Sequence, residues 1–253
     1  MLTVIPIPAF EDNYIWLLHN GHDALAVDAG DAAPLLDYLA AHQLRLIGVL
    51  DTHHHGDHTG GNAGLLRQIP GLAIYGDRRI ATVNHPVAAG ETLDFPALPL
   101  SLEVLGVPGH TADHLAYYGA NRLFCGDALF TCGCGKLFEG TPPQAHASLQ
   151  SIAALPPETL VYPAHEYTLE NIRFAKKVEP HNAALLEREI REREIRARDL
   201  PTLPASLALE KATNPFLRCN EAEVIEAASR WAEKTLTDEV SVFTAMREWR
   251  NLG

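Results

Sequence analysis

Thirteen histidines in a chain of 253 residues ask for a chemical cause, because imidazole is the commonest metal ligand and the usual acid or base near neutral pH. The densest group is Thr52-His53-His54-His55-Gly56-Asp57-His58, which reads His-x-His-x-Asp-His. At the end of an extended segment alternate side chains turn the same way, so His53 and His55 can converge on one ion while His54 points elsewhere. Asp57 and His58 then lie where the chain turns into a helix, and they can bind a second ion beside the first. Imidazole and carboxylate together suit Zn, Fe and Mn, and need no thiolate. Gly56, Gly60 and Gly61 permit a tight backbone path around such a site.

Four local ligands do not complete two metal sites that each also hold water. Three later places offer a histidine or aspartate at the end of an apolar run: His110 in Val107-Pro-Gly-His-Thr, Asp127 in Phe124-Cys-Gly-Asp-Ala, and His165 in Val161-Tyr-Pro-Ala-His-Glu. The assignment is His53, His55 and His110 to the first ion, Asp57, His58 and His165 to the second, and Asp127 as the bridging carboxylate. A hydroxide held between two such ions is a strong nucleophile, because the metals lower the pKa of water from 15.7 toward about 7. Hydrolysis is the expected reaction class, with Asp57 and Asp127 as the catalytic carboxylates. Asp57 could also orient the hydroxide.

The elements that must carry these residues follow from periodicity. Residues 2–7, 14–18 and 24–27 read as short strands, 32–42 as a helix and 46–50 as a buried strand. A helix is expected over 58–69, strands near 73–75, 100–107, 115–118 and 123–125, a helix over 144–154 and a strand at 160–162. The order suggests two mixed sheets with helices outside, an α/β layered arrangement. After Tyr167 only helices are expected, over 169–178, 183–198, 222–234 and 240–249, with Pro201 and Pro204 as breaks. Two domains result: 1–166, carrying the chemistry, and a smaller all-helical 167–253. The mixed charges of Glu187 to Arg198 read as a solvated helix face with local ion pairs.

Composition excludes several classes. Apolar residues make up 47% and charged residues 21%, which is ordinary for a globular chain. A net charge of −12 repels phosphate backbones, so nucleic acid is not an expected partner. No signal peptide and no apolar stretch of about 18 residues is found, so a soluble cytoplasmic protein with no membrane partner is expected. Four cysteines are too few and too clustered for a disulfide framework. Cys132 and Cys134 fall one residue short of Cys-x-x-Cys and read as structural. Asp28, in Val27-Asp-Ala-Gly, is either a turn residue or a group that orients a ligand histidine.

The ligand pattern resembles that of the metallo-β-lactamase superfamily, and the full set looks like glyoxalase II, the hydroxyacylglutathione hydrolases. Beyond His-x-His-x-Asp-His, the chain carries Gly126-Asp-Ala-Leu-Phe, Gly133-Cys-Gly-Lys-Leu-Phe-Glu-Gly-Thr, His165-Glu-Tyr-Thr and Thr213-Asn-Pro-Phe-Leu-Arg. The resemblance implies a four-layered αβ/βα sandwich followed by a helical glutathione-binding domain. It implies hydrolysis of S-D-lactoylglutathione to D-lactate and glutathione by a metal-bridging hydroxide, the second step of methylglyoxal detoxification. Lys136, Phe138, His165 and Tyr167 would contact substrate, and so would the basic pair Arg247 and Arg250, which stands where relatives carry Arg-x-x-Lys. Two divalent ions per chain are implied, zinc foremost and iron or manganese as alternatives, in a monomer acting on a small molecule. Alternatives within the superfamily are a lactonase, a single-iron sulfur dioxygenase and a ribonuclease. A metal-dependent binding protein without catalysis is the alternative from another class.

Overall fold

Seven apolar or small residues of the first strand pair with a second strand whose middle, Tyr14 to Leu18, is apolar or aromatic, and this begins a six-stranded mixed sheet. The structure is a computed structural model and describes residues 2–253. Strands β1 (Thr3–Ala9), β2 (Asn13–His19) and β3 (Asp23–Val27) run antiparallel, with Ile5 opposite Leu17 and Trp16 opposite Val27. Helix α1 (Ala32–His42) then carries the chain to β4 (Arg45–Leu50), which pairs parallel to β3; a parallel pair needs such a crossover. The Asp31 side chain accepts the Ala33 N–H at its start, and Gln43, at φ 54°, ends it in the left-handed region. Leu35 and Leu39 on its inner face pack into the core of Ile7, Leu17, Ala24, Val49 and Ile74.

The expected helix over 58–69 is two helices, α2 (Gly56–Thr59) and α3 (Asn62–Gln68). The reason is local. The Gly61 N–H donates to Ala29 O at 3.0 Å instead of continuing the α2 ladder. A Cβ on Gly61 would sit 2.4 Å from that same oxygen, so glycine is required for the approach. Strands β5 (Ala73–Gly76) and β6 (His85–Pro86) complete the sheet, both parallel. Strands β7 (Thr92–Phe95), β8 (Leu100–Gly106), β9 (Leu115–Gly119) and β10 (Arg122–Gly126) form an antiparallel run. The Leu115 N–H donates to Thr52 O, and the buried Tyr117 hydroxyl to Asp51 O, at 2.8 and 2.7 Å. These bonds tie β9 to the end of β4.

All of these elements belong to one compact unit, Met1–Gly106, Asp113–Gly126 and Ala164–Glu166; the other unit is Val107–Ala112, Asp127–Pro163 and Tyr167–Gly253. The second unit begins its regular structure with the short hairpin β11 (Leu129–Phe130) and β12 (Gly133–Cys134). Next come α4 (Pro142–Ala153), β13 (Leu160–Pro163), α5 (Thr168–Val178) and α6 (Ala183–Arg196). Then follow β14 (Ala205–Ser206), α7 (Leu207–Thr213), a 3-10 turn (Pro215–Leu217), α8 (Ala222–Trp231) and α9 (Glu239–Leu252).

Two expectations fail here. The region after Tyr167 is not purely helical, because β14 pairs antiparallel with β13; two residues are too few to show alternation. The mixed-charge helix α6 is not a solvated face throughout. Arg188 and Glu192 are buried, while the apolar Ile190 is exposed. Arg188 donates to Glu210 and to the Thr213 hydroxyl, each at 2.6 Å, so its charge is neutralised inside the unit.

Candidate metal centre

The loop that leaves β4 is fastened before it reaches its histidines. Asp28, at φ 55°, accepts the Thr52 N–H at 2.8 Å and the Thr52 hydroxyl at 2.9 Å. That hydroxyl has one proton and spends it on Asp28, so at 3.1 Å from His53 Nδ1 it accepts from the ring. The His53 tautomer is thereby set, with Nε2 left 3.0 Å from His55 Nδ1. His54 turns the other way: its Nδ1 lies 3.4 Å from Asp113, which also pairs with Arg79 at 3.1 Å. The alternation expected from the sequence is therefore present. His114, which stands in no ligand-like motif, stacks on His53 with centroids 4.6 Å apart.

In the same unit, Asp57, His58 and His165 bring their ligand atoms within 4.8 Å of one another. His58 and His165 each place Nε2 3.4 Å from Asp57 Oδ2. Both rings are buried, and Asp57 is half-buried. The neighbouring His165 ring, then the His58 ring, holds the Asp57 carboxyl well below the usual carboxylate range. The far nitrogens of the two rings face acids: His58 Nδ1 is 3.1 Å from Asp28, and His165 Nδ1 is 2.7 Å from Asp12. Asp28 is thus both a left-handed turn residue and a group set against a histidine.

In the second unit His110 and Asp127 repeat the arrangement. His110 Nδ1 lies 2.8 Å from the Lys136 carbonyl oxygen, and His110 Nε2 lies 3.4 Å from Asp127 Oδ2. Both residues are buried. A carbonyl or carboxylate on one ring nitrogen fixes the ring and leaves the other lone pair for a metal. His110 and His165 meet that condition through hydrogen bonds and His58 through its approach to Asp28, while the Thr52 hydroxyl plays the same part for His53. The donor set is borderline in softness, without thiolate, and so fits a divalent ion.

The residues expected to contact substrate lie in the second unit, apart from His165. Lys136 Nζ sits 5.3 Å from the centre of the exposed Phe138 ring, and Tyr167 meets Phe130 edge-on. Arg247 is buried, and donates to Cys134 O at 2.7 Å and to Asn251 Oδ1 at 3.0 Å. Arg250 lines a cleft with Glu170, Arg173, Phe174 and Lys177. Cys132 and Cys134 are packed inside the unit: the Cys132 N–H donates to Glu210 at 2.8 Å, and burial pushes its thiol up to about 12.

Residues 10–165 match the family model described as Metallo-beta-lactamase superfamily, and residues 166–252 the one described as Hydroxyacylglutathione hydrolase C-terminus. A hydroxyacylglutathione hydrolase of Nitrosomonas europaea is 54% identical over 253 residues, with 99% of this chain and 96% of the relative covered. One of Methylobacillus flagellatus is 53% identical, with 99% of each covered. Among solved structures, that of ETHE1 from Myxococcus xanthus superposes with a TM-score of 0.64 at 25% identity, covering 100% of this chain and 99% of that one. The mixed sheets, the helical C-terminal region and the His/Asp set are those of a divalent-metal-binding metallo-β-lactamase fold, and the chain belongs to the hydroxyacylglutathione hydrolase family of that superfamily.

Proposed function

We propose that the chain hydrolyses the thioester of S-D-lactoylglutathione, and of related S-2-hydroxyacylglutathiones, to the free hydroxy acid and glutathione, as the second step of methylglyoxal detoxification. The observation that carries this reading is full-length identity of about half to relatives named hydroxyacylglutathione hydrolase, together with the match of residues 166–252 to that family's C-terminal model. Two divalent ions serve the reaction. His53, His55 and His110 would hold the first, Asp57, His58 and His165 the second, and Asp127 would serve both. Zinc is the expected metal, and iron or manganese would be accepted by the same donors. When bound, the ions supply hydroxide at neutral pH and polarise the thioester carbonyl.

The chain's own residues do the rest. Asp57, kept ionised by its two imidazole neighbours, orients the attacking oxygen. The glutathione thiolate is a good leaving group, so no strong general acid is required. Residues 1–166 form the catalytic domain and 167–253 the helical substrate-binding domain; the two family models, 10–165 and 166–252, support that division. Lys136, Phe138, His165, Tyr167, Arg247 and Arg250 contact the substrate. Glutathione carries two carboxylates, and cations on a protein of charge −12 provide local attraction for them. We place the reaction in the cytoplasm, where glutathione is kept reduced, and the protein acts as a monomer.

The test is loss of thioester absorbance when purified protein meets S-D-lactoylglutathione, with metal content measured on the same sample. Turnover with about two metals per chain, abolished by Asp127→Ala, is the expected result. Two metals without turnover would turn attention to other thioesters and lactones, and a single iron would favour a dioxygenase.

A further inference from the structure

We propose that Asp12, in the turn between β1 and β2, is a positioning residue for His165, and that through it this turn sets the affinity of the Asp57–His58–His165 group for a metal ion. The inference rests on the metal-binding reading given above.

Residues 12–14 are stitched to residues 164–166 along their whole length. The Tyr14 N–H donates to Ala164 O at 2.7 Å, and the Glu166 N–H to Asp12 O at 2.9 Å. Asn13 and His165 form an antiparallel bridge. The Tyr14 hydroxyl reaches Glu166 Oε2 at 3.1 Å. None of these contacts uses the Asp12 side chain. The carboxylate is spent differently, with Oδ1 2.7 Å from His165 Nδ1. That contact puts the ring proton on Nδ1 and leaves the Nε2 lone pair facing Asp57 Oδ2 at 3.4 Å.

The neighbouring residue works on the same group. Asn13 Nδ2 donates to Asp57 Oδ2 at 3.1 Å, so one turn touches two of the three donors. The solvent access differs in a useful way: the Asp12 side chain is 38% exposed while that of His165 is 5% exposed. Asp12 therefore keeps its charge hydrated and still orients a ring that cannot reorient itself against water.

The experiment is zinc affinity of the metal-stripped protein, measured by chelator competition for wild type, Asp12→Asn, His165→Ala and the double variant. Asp12→Asn is expected to weaken the ion of this group about 10–100-fold, with the thermal midpoint of the stripped protein unchanged. In the His165→Ala background the same change is expected to have no further effect, since the two act through one ring. Asp12→Glu, which keeps the carboxylate, should lie closer to wild type than Asp12→Asn, and Glu11→Gln should match wild type. Wild-type affinity in Asp12→Asn, or an equal loss with and without His165, would overturn the proposal. Failure of the wild type itself to take up zinc would instead remove the metal-binding reading beneath it.

Discussion

The Asp28 carboxylate accepts both the N–H and the hydroxyl of Thr52, and its Oδ2 stands 3.1 Å from His58 Nδ1. One buried acid thus fastens the start of the ligand loop and faces the His58 ring further along it, with Thr52 as the link to His53. Asp28→Ala leaves two buried Thr52 donors without an acceptor, which costs about 3 kcal/mol, and is expected to weaken metal binding about 10–100-fold. Asp28→Asn keeps an acceptor and tolerates the left-handed backbone, so its loss should be smaller on both counts. Urea denaturation and chelator competition read the two effects, and equal behaviour of the two variants would contradict the account.

Gly135 lies against the second pair of acid and histidine. A Cβ there would be 2.0 Å from Asp127 O and 3.0 Å from His110 Nδ1. Backbone cannot yield to such contacts without moving Asp127. Gly135→Ala is expected to lower stability by about 1–3 kcal/mol and to reduce thioester hydrolysis by more than that loss explains. Activity and thermal midpoint, measured side by side, decide it.

The buried Arg188 is the counter-charge for Glu210, which also accepts the Cys132 N–H and an Asn214 amide proton. Arg188→Met leaves that carboxylate uncompensated and should destabilise by about 3–5 kcal/mol. Adding Glu210→Gln should recover most of the loss, because the amide oxygen still accepts from Cys132. If the double variant is no better than the single in urea, the charge is not the cause.

Cys132 is fully buried, with its thiol pushed up to about 12 by burial, so it should resist maleimide at pH 8 in the folded protein and react on unfolding. The unfolded thiol ionises near about 8.5. The folded value is raised, so this group's contribution to stability is full below about 8.5 and falls as pH rises toward about 12. Cys132→Ala should flatten that part of the stability profile, and an unchanged alkaline slope would count against it.

How much could be read in advance depended on how local each interaction is. His53 and His55 are two apart, so strand alternation alone gave their convergence and the diversion of His54. His110, Asp127 and His165 were legible only as polar residues ending apolar runs, together with the need for more ligands. Asp12 and Asn13 were not legible, because nothing in Glu11-Asp12-Asn13 refers to a histidine 153 residues away. The break between α2 and α3 comes from contact of Gly61 with Ala29, which helical periodicity does not register. Arg188 was misread for a similar reason: its charge partner Glu210 lies 22 residues further on, while local spacing showed only neighbours on α6.

The pairing of residues 12–14 with 164–166 also has a consequence for the order of events during synthesis. Asp12 and Asp57 leave the ribosome long before His165, and the turn that orients that ring must wait for it. Closing so long a loop adds chain entropy that local helices never face, and contacts of this separation slow folding. A nascent chain therefore presents His58 and Asp57 without their third companion while the 107 residues from there to His165 are made. The Asp57–His58–His165 group is therefore completed only after the strands from β1 to β10 have been made.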